Sequence, residues 1–164
     1  MTIKNIITVP DEILRKKSAP LEKVGINEKK LINDLFDTMY NANGIGLAAI
    51  QIGIPKRVVV LDVSKNDEKS EPYCLINPVI KKLSKDTSIY EEGCLSIPGI
   101  TGEVVRPQRV HIEAQTVDGE FFSMDLTDPL HTRVVLHEND HLNGVLFIDR
   151  MDKRERKKLK PHLE

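Results

Sequence analysis

Between residues 27 and 43, Leu31, Leu35 and Met39 recur at every fourth position with Ile32 and Phe36 beside them, while Glu28, Lys29, Lys30 and Asp34 face away. That period predicts an amphipathic helix. Asn43-Gly44 closes it, glycine tolerating the left-handed conformation that follows many helices. Residues 57–63 are rich in β-branched side chains and predict a buried strand, followed by a polar loop over 64–71 that is expected to be mobile. Residues 73–82, 104–117 and 120–126 read as further strands, and Asp118-Gly119 between the last two is a hairpin signal. A second helix is expected from Pro129, capped by Asp128, to about Leu142, just before Gly144. The charged stretch 151–160 predicts a terminal helix stopped by Pro161. Strands and helices are segregated, which points to an α+β fold.

Composition narrows the class. The chain has 164 residues, 40% hydrophobic and 30% charged, with a formal net charge of -1. This fits one domain spanning 1–164, with a core of reasonable size and no internal repeat. The charge balance argues against DNA or another nucleic acid as the main partner, because phosphate binding draws on many Lys and Arg. Asp11 and Glu12 stand where a secretory signal would be apolar, and no segment approaches the roughly 18 apolar residues needed to cross a bilayer. A cytoplasmic enzyme without a membrane partner is the expectation. Two cysteines, Cys74 and Cys94, make no disulfide framework, so each is read as a thiol.

The chemistry concentrates in His137-Glu138-Asn139-Asp140-His141, inside the second predicted helix. Histidines four residues apart on a helix share a face and can bind one metal ion, with the intervening glutamate as general base. The plainer alternative is a solvated polar face. A third ligand is needed. Gly144 matches the extended H-E-x-x-H-x-x-G-x-x-H pattern of many metalloproteases, but Phe147 stands where its third histidine would be. Upstream, Cys94 is the thiol in a polar, glycine-flanked setting, with Gly93 removing bulk beside it and Ser96 and Pro98-Gly99 expected to turn the chain. Cys94, His137 and His141 with a water would make a tetrahedral catalytic site. Cys74, between Tyr73 and Leu75, is assigned to the core.

Gly44-Ile45-Gly46-Leu47-Ala48-Ala49-Ile50-Gln51 formally matches a dinucleotide fingerprint, but it follows a helix and leads towards a strand, the reverse of what that motif requires. Its glycines instead let the backbone approach a substrate lying alongside. Gln51 offers an uncharged amide donor of the type that stabilises an oxyanion; as an alternative, it is an ordinary polar residue.

Taken together, Gly44 to Gln51, Glu92 to Ser96 and His137 to His141 resemble, in order and separation, the three signature motifs of peptide deformylases. Val9-Pro10-Asp11-Glu12, Leu75-Ile76-Asn77-Pro78 and Leu142 to Asp149 extend the resemblance over nearly the whole chain. The resemblance implies antiparallel sheets around a metal-bearing helix and hydrolysis of the formyl group of N-formylmethionyl peptides and nascent chains. It implies Cys94, His137 and His141 as metal ligands, Glu138 as proton shuttle, and Gln51 with the backbone N–H of Leu95 as oxyanion donors. Gly44, Ile45, Gly46 and Gly93 would flank the substrate backbone. Fe²⁺ is the favoured ion, with Zn²⁺, Ni²⁺ or Co²⁺ as substitutes. One departure is Leu136, where the family usually has Gln; as neither ligand nor base, it bears on metal affinity and puts rate in doubt more than function.

Several readings stay open in the sequence. Leu130 and Val134, with Ile45, offer an apolar pocket for methionine, or are core residues. Arg106 and Arg109 either anchor a main-chain carbonyl or pair with a carboxylate such as Glu92, and pairing is the expected role. Lys153, Arg154, Arg156, Lys157, Lys158 and Lys160 form a solvated basic face or a ribosome-docking tail. Rival functions are a zinc endopeptidase on the same H-E-x-x-H core and a non-catalytic metal-binding module, against which the general base Glu138 argues.

Overall fold

The computed structural model describes residues 1–64 and 69–163. Helix α1 (Ile26–Asn41) is followed by a short strand β1 (Gly46–Ala48) and a 3-10 turn at Ala49–Ile52. Strands β2 (Val58–Leu61), β3 (Tyr73–Leu83), β4 (Thr87–Cys94), β5 (Ile97–Pro107), β6 (Val110–Gln115) and β7 (Phe121–Leu126) follow. Helix α2 (Pro129–Leu142), a 3-10 turn at Phe147–Arg150 and helix α3 (Lys153–Leu163) complete the order. β1-β2-β3-β6-β7 form one sheet and β4-β5 a second, and every pairing within them is antiparallel. The α+β expectation is met.

The larger sheet is covered on both faces, which explains the unbroken apolar run of β2. Val58 and Val60 pack with Ile32, Leu35 and Met39 of α1. Val59 and Leu61 pack with Val135, Leu136 and Leu142 of α2 on the opposite face. Alternate residues of one strand thus serve two cores. A third cluster, Leu14, Ile97, Val104, Phe147, Ile148 and Met151, lies beneath the β4-β5 sheet. Helix α2 therefore runs between the two sheets, its start set as expected by Asp128, which accepts from Leu130 N–H at 2.9 Å. Leu136 lies in the core, 8% exposed, so its apolar side chain suits its surroundings.

Other expectations are corrected. Residues 104–117 are two strands in different sheets, broken at Pro107, which has no N–H to continue a ladder. The turn after Cys94 falls at Leu95-Ser96; Pro98 and Gly99 belong to β5, as part of an irregularity between the pairs Gly93↔Thr101 and Cys94↔Ile97. The residue taking positive φ after α1 is Asn43 at 56°, not Gly44. Pro161 does not stop α3, which continues to Leu163; so near the end, the lost N–H and the crowding of the carbonyl four residues back burden only the last turn. Of the polar loop 64–71, residues 65–68 lie outside the described residues. The Asp118-Gly119 hairpin is observed, with Gly119 at φ 82°.

Gly144 ties the end of α2 to the chain's beginning. A Cβ there would stand 2.2 Å from the Arg15 carbonyl oxygen, at a φ of 73°. Gly144→Ala is expected to cost about 2–3 kcal/mol through backbone strain and overpacking. Thermal melting measures this, and an unchanged Tm would contradict it.

Candidate active site

Helix α2 carries His137, Glu138 and His141 on its buried side, and the end of β4 brings Cys94 against them. Cys94 Sγ lies 3.4 Å from His141 Nε2, and the possible ligand atoms of Cys94, His137 and His141 all fall within 4.8 Å of one another. His137 Nδ1 is held by Glu92 at 2.9 Å, which leaves its Nε2 for an ion. One sulfur and two imidazole nitrogens converging beside a cleft make a donor set that fits a divalent transition metal. Phe147 is fully buried and stacks on His137 at 6.1 Å between centroids. It packs where the sequence pattern of other metalloproteases would put a ligand.

Gln51 follows β1 in the 3-10 turn. Its Oε1 accepts from Ala48 N–H at 2.9 Å, its Nε2 donates to Ser96 Oγ at 3.0 Å, and Nε2 lies 3.7 Å from Cys94 Sγ. The amide nitrogen is therefore aimed towards the thiol. Glu138 sits against Gly46: a Cβ at that glycine would be 2.9 Å from Glu138 Oε1 and 3.0 Å from Cγ. The other oxygen, Oε2, is buried and has no hydrogen-bond partner among the described residues. Burial pushes the Glu138 carboxyl up to about 7, against the opposing charges of His137 and Arg106. Burial alone would lower His137, but hydrogen bonds to Cys94 and Glu92 carry it up to about 10. His141 is held well below its ordinary range by burial and by the positive charges of His137, Arg106 and Arg15.

These groups open onto a cavity of about 500 Å³. Every sequence-derived site residue lines it except His141, which lies behind the others: Gly44, Ile45, Gly46, Gln51, Gly93, Cys94, Leu95, Leu130, Val134, His137 and Glu138. Leu130 is 46% exposed at the cavity, while Val134, 7% exposed, lines it and also belongs to the core.

Behind the site lies a buried ionic network. Glu92 accepts from Arg106 Nε at 2.6 Å and Nη2 at 3.0 Å, from Arg133 and from His137. Arg106 also reaches Asp140 at 3.0 Å, and Arg150 closes on Asp140 at 2.9 and 3.1 Å. The expected pairing of Arg106 is observed; Arg109 pairs instead with Asp86 at 2.8 Å. Arg133 escaped the sequence reading, although an arginine beside Val134 and Val135 on an apolar helix face is itself a signal that a buried carboxylate awaits it. It also lies over the Tyr90 ring at 5.0 Å and bonds the Val104 and Ser88 carbonyls.

The fold and these side chains define a hydrolase built around an H-E-x-x-H helix. A sequence profile described as polypeptide deformylase matches residues 3–157. The peptide deformylase of Pelagibacter ubique is 48% identical over 93% of this chain and 88% of its own, and that of Rhizobium meliloti 47% identical over 95% and 89%. The crystal structure of the Ehrlichia chaffeensis peptide deformylase in complex with actinonin superposes with a TM-score of 0.90 at 37% identity, covering 99% of this chain and 98% of that one. The chain belongs to the peptide deformylase family, enzymes that remove the formyl group from the N-terminus of nascent polypeptides. No helix among the described residues is long and apolar enough to cross a membrane.

The contact at Gly46 makes a direct prediction. A methyl group there must displace the Glu138 carboxylate, and misplacing a reacting group by a fraction of an ångström is costly. Gly46→Ala is expected to slow formate release by about tenfold or more while the protein still folds; a wild-type rate would show that Glu138 has room to move.

Proposed function

We propose that residues 1–164 act as one catalytic domain in which Cys94, His137 and His141 hold a divalent ion and Glu138, Gln51 and the Leu95 N–H work on the formyl group. The convergence of one thiol and two imidazoles beside a buried carboxyl whose proton affinity is raised is the observation that carries this reading. An ion bound there would supply Lewis acidity, lowering the pKa of water and polarising the formamide. Glu138, its proton affinity raised by burial, takes a proton from the attacking water and returns it to the departing amine. Gln51 Nε2, oriented by Ala48 and Ser96, donates to the formyl oxygen as negative charge gathers on it, and the Leu95 amide donates from the neighbouring turn. Gly44, Ile45, Gly46 and Gly93 flank the peptide backbone, and Leu130 and Val134 receive the methionine side chain.

By family resemblance the ion is Fe²⁺, with Zn²⁺, Ni²⁺ or Co²⁺ as substitutes that a Cys-His-His set also accepts. The test is formate release from formyl-Met-Ala-Ser by protein purified without oxygen and supplied with each ion separately. Highest turnover with Fe²⁺ supports the assignment. A higher rate with another ion would replace iron, and no release with any ion would overturn the site reading.

We further propose that the enzyme acts in the cytoplasm, where formylated chains emerge, and that its basic tail, otherwise a solvated helix face, docks on the ribosome. The exposed Lys153, Arg154 and Lys157 support this, whereas Arg156 is paired with Asp149 at 2.9 Å and Lys158 with Glu155 at 3.1 Å. Reversing the charge of Lys153, Arg154 and Lys157 should weaken co-sedimentation with ribosomes and flatten its salt dependence; unchanged co-sedimentation would remove the idea.

A further inference from the structure

The wall of the cavity formed by residues 43–46 hangs between α1 and β1, and one residue outside the cavity holds both of its ends. Asp62, 6% exposed, follows β2. Its backbone N–H donates to the Ile45 carbonyl at 3.0 Å, extending the β1-β2 ladder one step beyond Gly46↔Leu61. Its carboxylate accepts from the hydroxyl of Tyr40, in the last turn of α1, at 2.6 Å. The same carboxylate gathers Ser64 through its hydroxyl at 2.7 Å and its N–H at 3.2 Å, Ser70 Oγ at 2.6 Å and Glu71 N–H at 3.3 Å. Among the described residues its partners are hydroxyl and amide donors, with no ion pair.

The wall has little room to shift. A Cβ on Gly44 would stand 2.8 Å from Leu95 Cδ1, and one on Gly46 2.9 Å from Glu138 Oε1, so this backbone is packed between two parts of the active site. Movement at Tyr40 or Ile45 is passed directly to the surface that faces the peptide.

We propose that Asp62 is a positioning residue for the substrate: by clamping Tyr40 and Ile45 it fixes the 43–46 wall at the distance from Leu95 and Glu138 that a peptide backbone requires. The proposal rests on the reading that Gly44, Ile45 and Gly46 flank the substrate. Burial alone would raise the Asp62 carboxyl, but the donors from Ser64, Ser70 and Tyr40 outweigh it and hold the group well below the usual carboxylate range. The clamp is thus charged throughout the working pH range.

The experiment is steady-state formate release from formyl-Met-Ala-Ser by metal-loaded enzyme, with metal content and Tm recorded for each variant. Asp62→Ala is expected to raise KM about tenfold and leave kcat within about threefold, the signature of lost binding shared by ground and transition states. Asp62→Asn, which keeps one acceptor oxygen, should fall between. Tyr40→Phe removes a hydroxyl from a residue 44% exposed and therefore tests the clamp without threatening the fold. It should raise KM about threefold, of the order one hydrogen bond supplies, and add nothing further in combination with Asp62→Ala. Wild-type KM in folded Asp62→Ala and Tyr40→Phe, or independent addition of the two effects, overturns the proposal. Gly44→Ala disturbs the wall directly. If it raises KM while the Asp62 variants do not, only the clamp fails; if it leaves KM unchanged, the wall is not a substrate surface and the underlying reading fails with it.

Discussion

Glu138→Ala is expected to fold, to retain its metal and to release formate about a thousandfold more slowly than wild type, within the range that positioned proton transfer contributes. Glu138 is 4% exposed, presses one oxygen against Gly46 and leaves the other without a partner among the described residues. Burial pushes this carboxyl up to about 7, so holding it ionised in the core costs stability. Its removal should therefore leave Tm unchanged or raised, the opposite of what deleting an ordinary structural residue does. Parallel kcat, metal-content and melting measurements separate the cases. Activity within tenfold of wild type would mean that another group moves the proton, and a lowered Tm with lost metal would mean that Glu138 supports the ligand helix instead.

The second large effect belongs to Glu92. Its carboxylate is the meeting point of Arg106, Arg133 and His137. Glu92→Ala leaves Arg133, 3% exposed, without a carboxylate and Arg106, 4% exposed, with Asp140 alone, and breaking a buried ion pair from one side typically costs about 3–5 kcal/mol. For a chain of this size that is a fall in Tm of roughly 10 °C. The variant should also bind its ion about ten- to a hundredfold more weakly, because Glu92 fixes the ring of His137 through Nδ1. Burial by itself would raise the Glu92 carboxyl, but hydrogen bonds from His137 and Arg106 bring it from 4.5 down to about 2. A carboxylate held lower in the folded than in the unfolded state contributes its stability in full above the unfolded value and loses it as pH falls through the folded one. The stability gap between wild type and Glu92→Gln should therefore be widest above pH 4.5 and narrow towards pH 2. A gap that is constant with pH would show that packing, not charge, makes Glu92 matter.

The elements that could be read from the sequence are those whose signal is local. Leu31, Leu35 and Met39 mark α1 by period, Asp128 and Pro129 mark the start of α2, and Asp118-Gly119 marks a hairpin, each through physics contained within a few residues. Strand β4 was hidden because Thr87–Cys94 places exposed Ile89 and Tyr90 among polar residues; only Glu92 in it is fully buried, and that is a charge. The break at Pro107 is not marked locally because apolar residues continue on both sides, and which sheet each half joins is decided by distant partners. The same division holds at the site. His137, Glu138 and His141 follow from helical spacing, whereas the convergence of Arg106, Arg133 and Glu92 depends on β4, β5 and α2 meeting in space. Asp62 gave no signal at all, since its partners at Tyr40, Ser70 and Glu71 are ordinary polar residues until the fold brings them together.

The two ends of the chain are stitched to each other. Ser18 N–H bonds the Leu142 carbonyl at 2.8 Å, Arg15 pairs with Asp149, and the Arg15 backbone fills the space over Gly144. Val9 N–H bonds the Ser96 carbonyl at 2.9 Å and Ile7 N–H that of Gln51 at 2.7 Å. Residues 15–18 thus settle only when residues 142–149 are in place, and such distant pairings make folding slow. An enzyme that acts on unfinished polypeptides is itself inactive for as long as it is one.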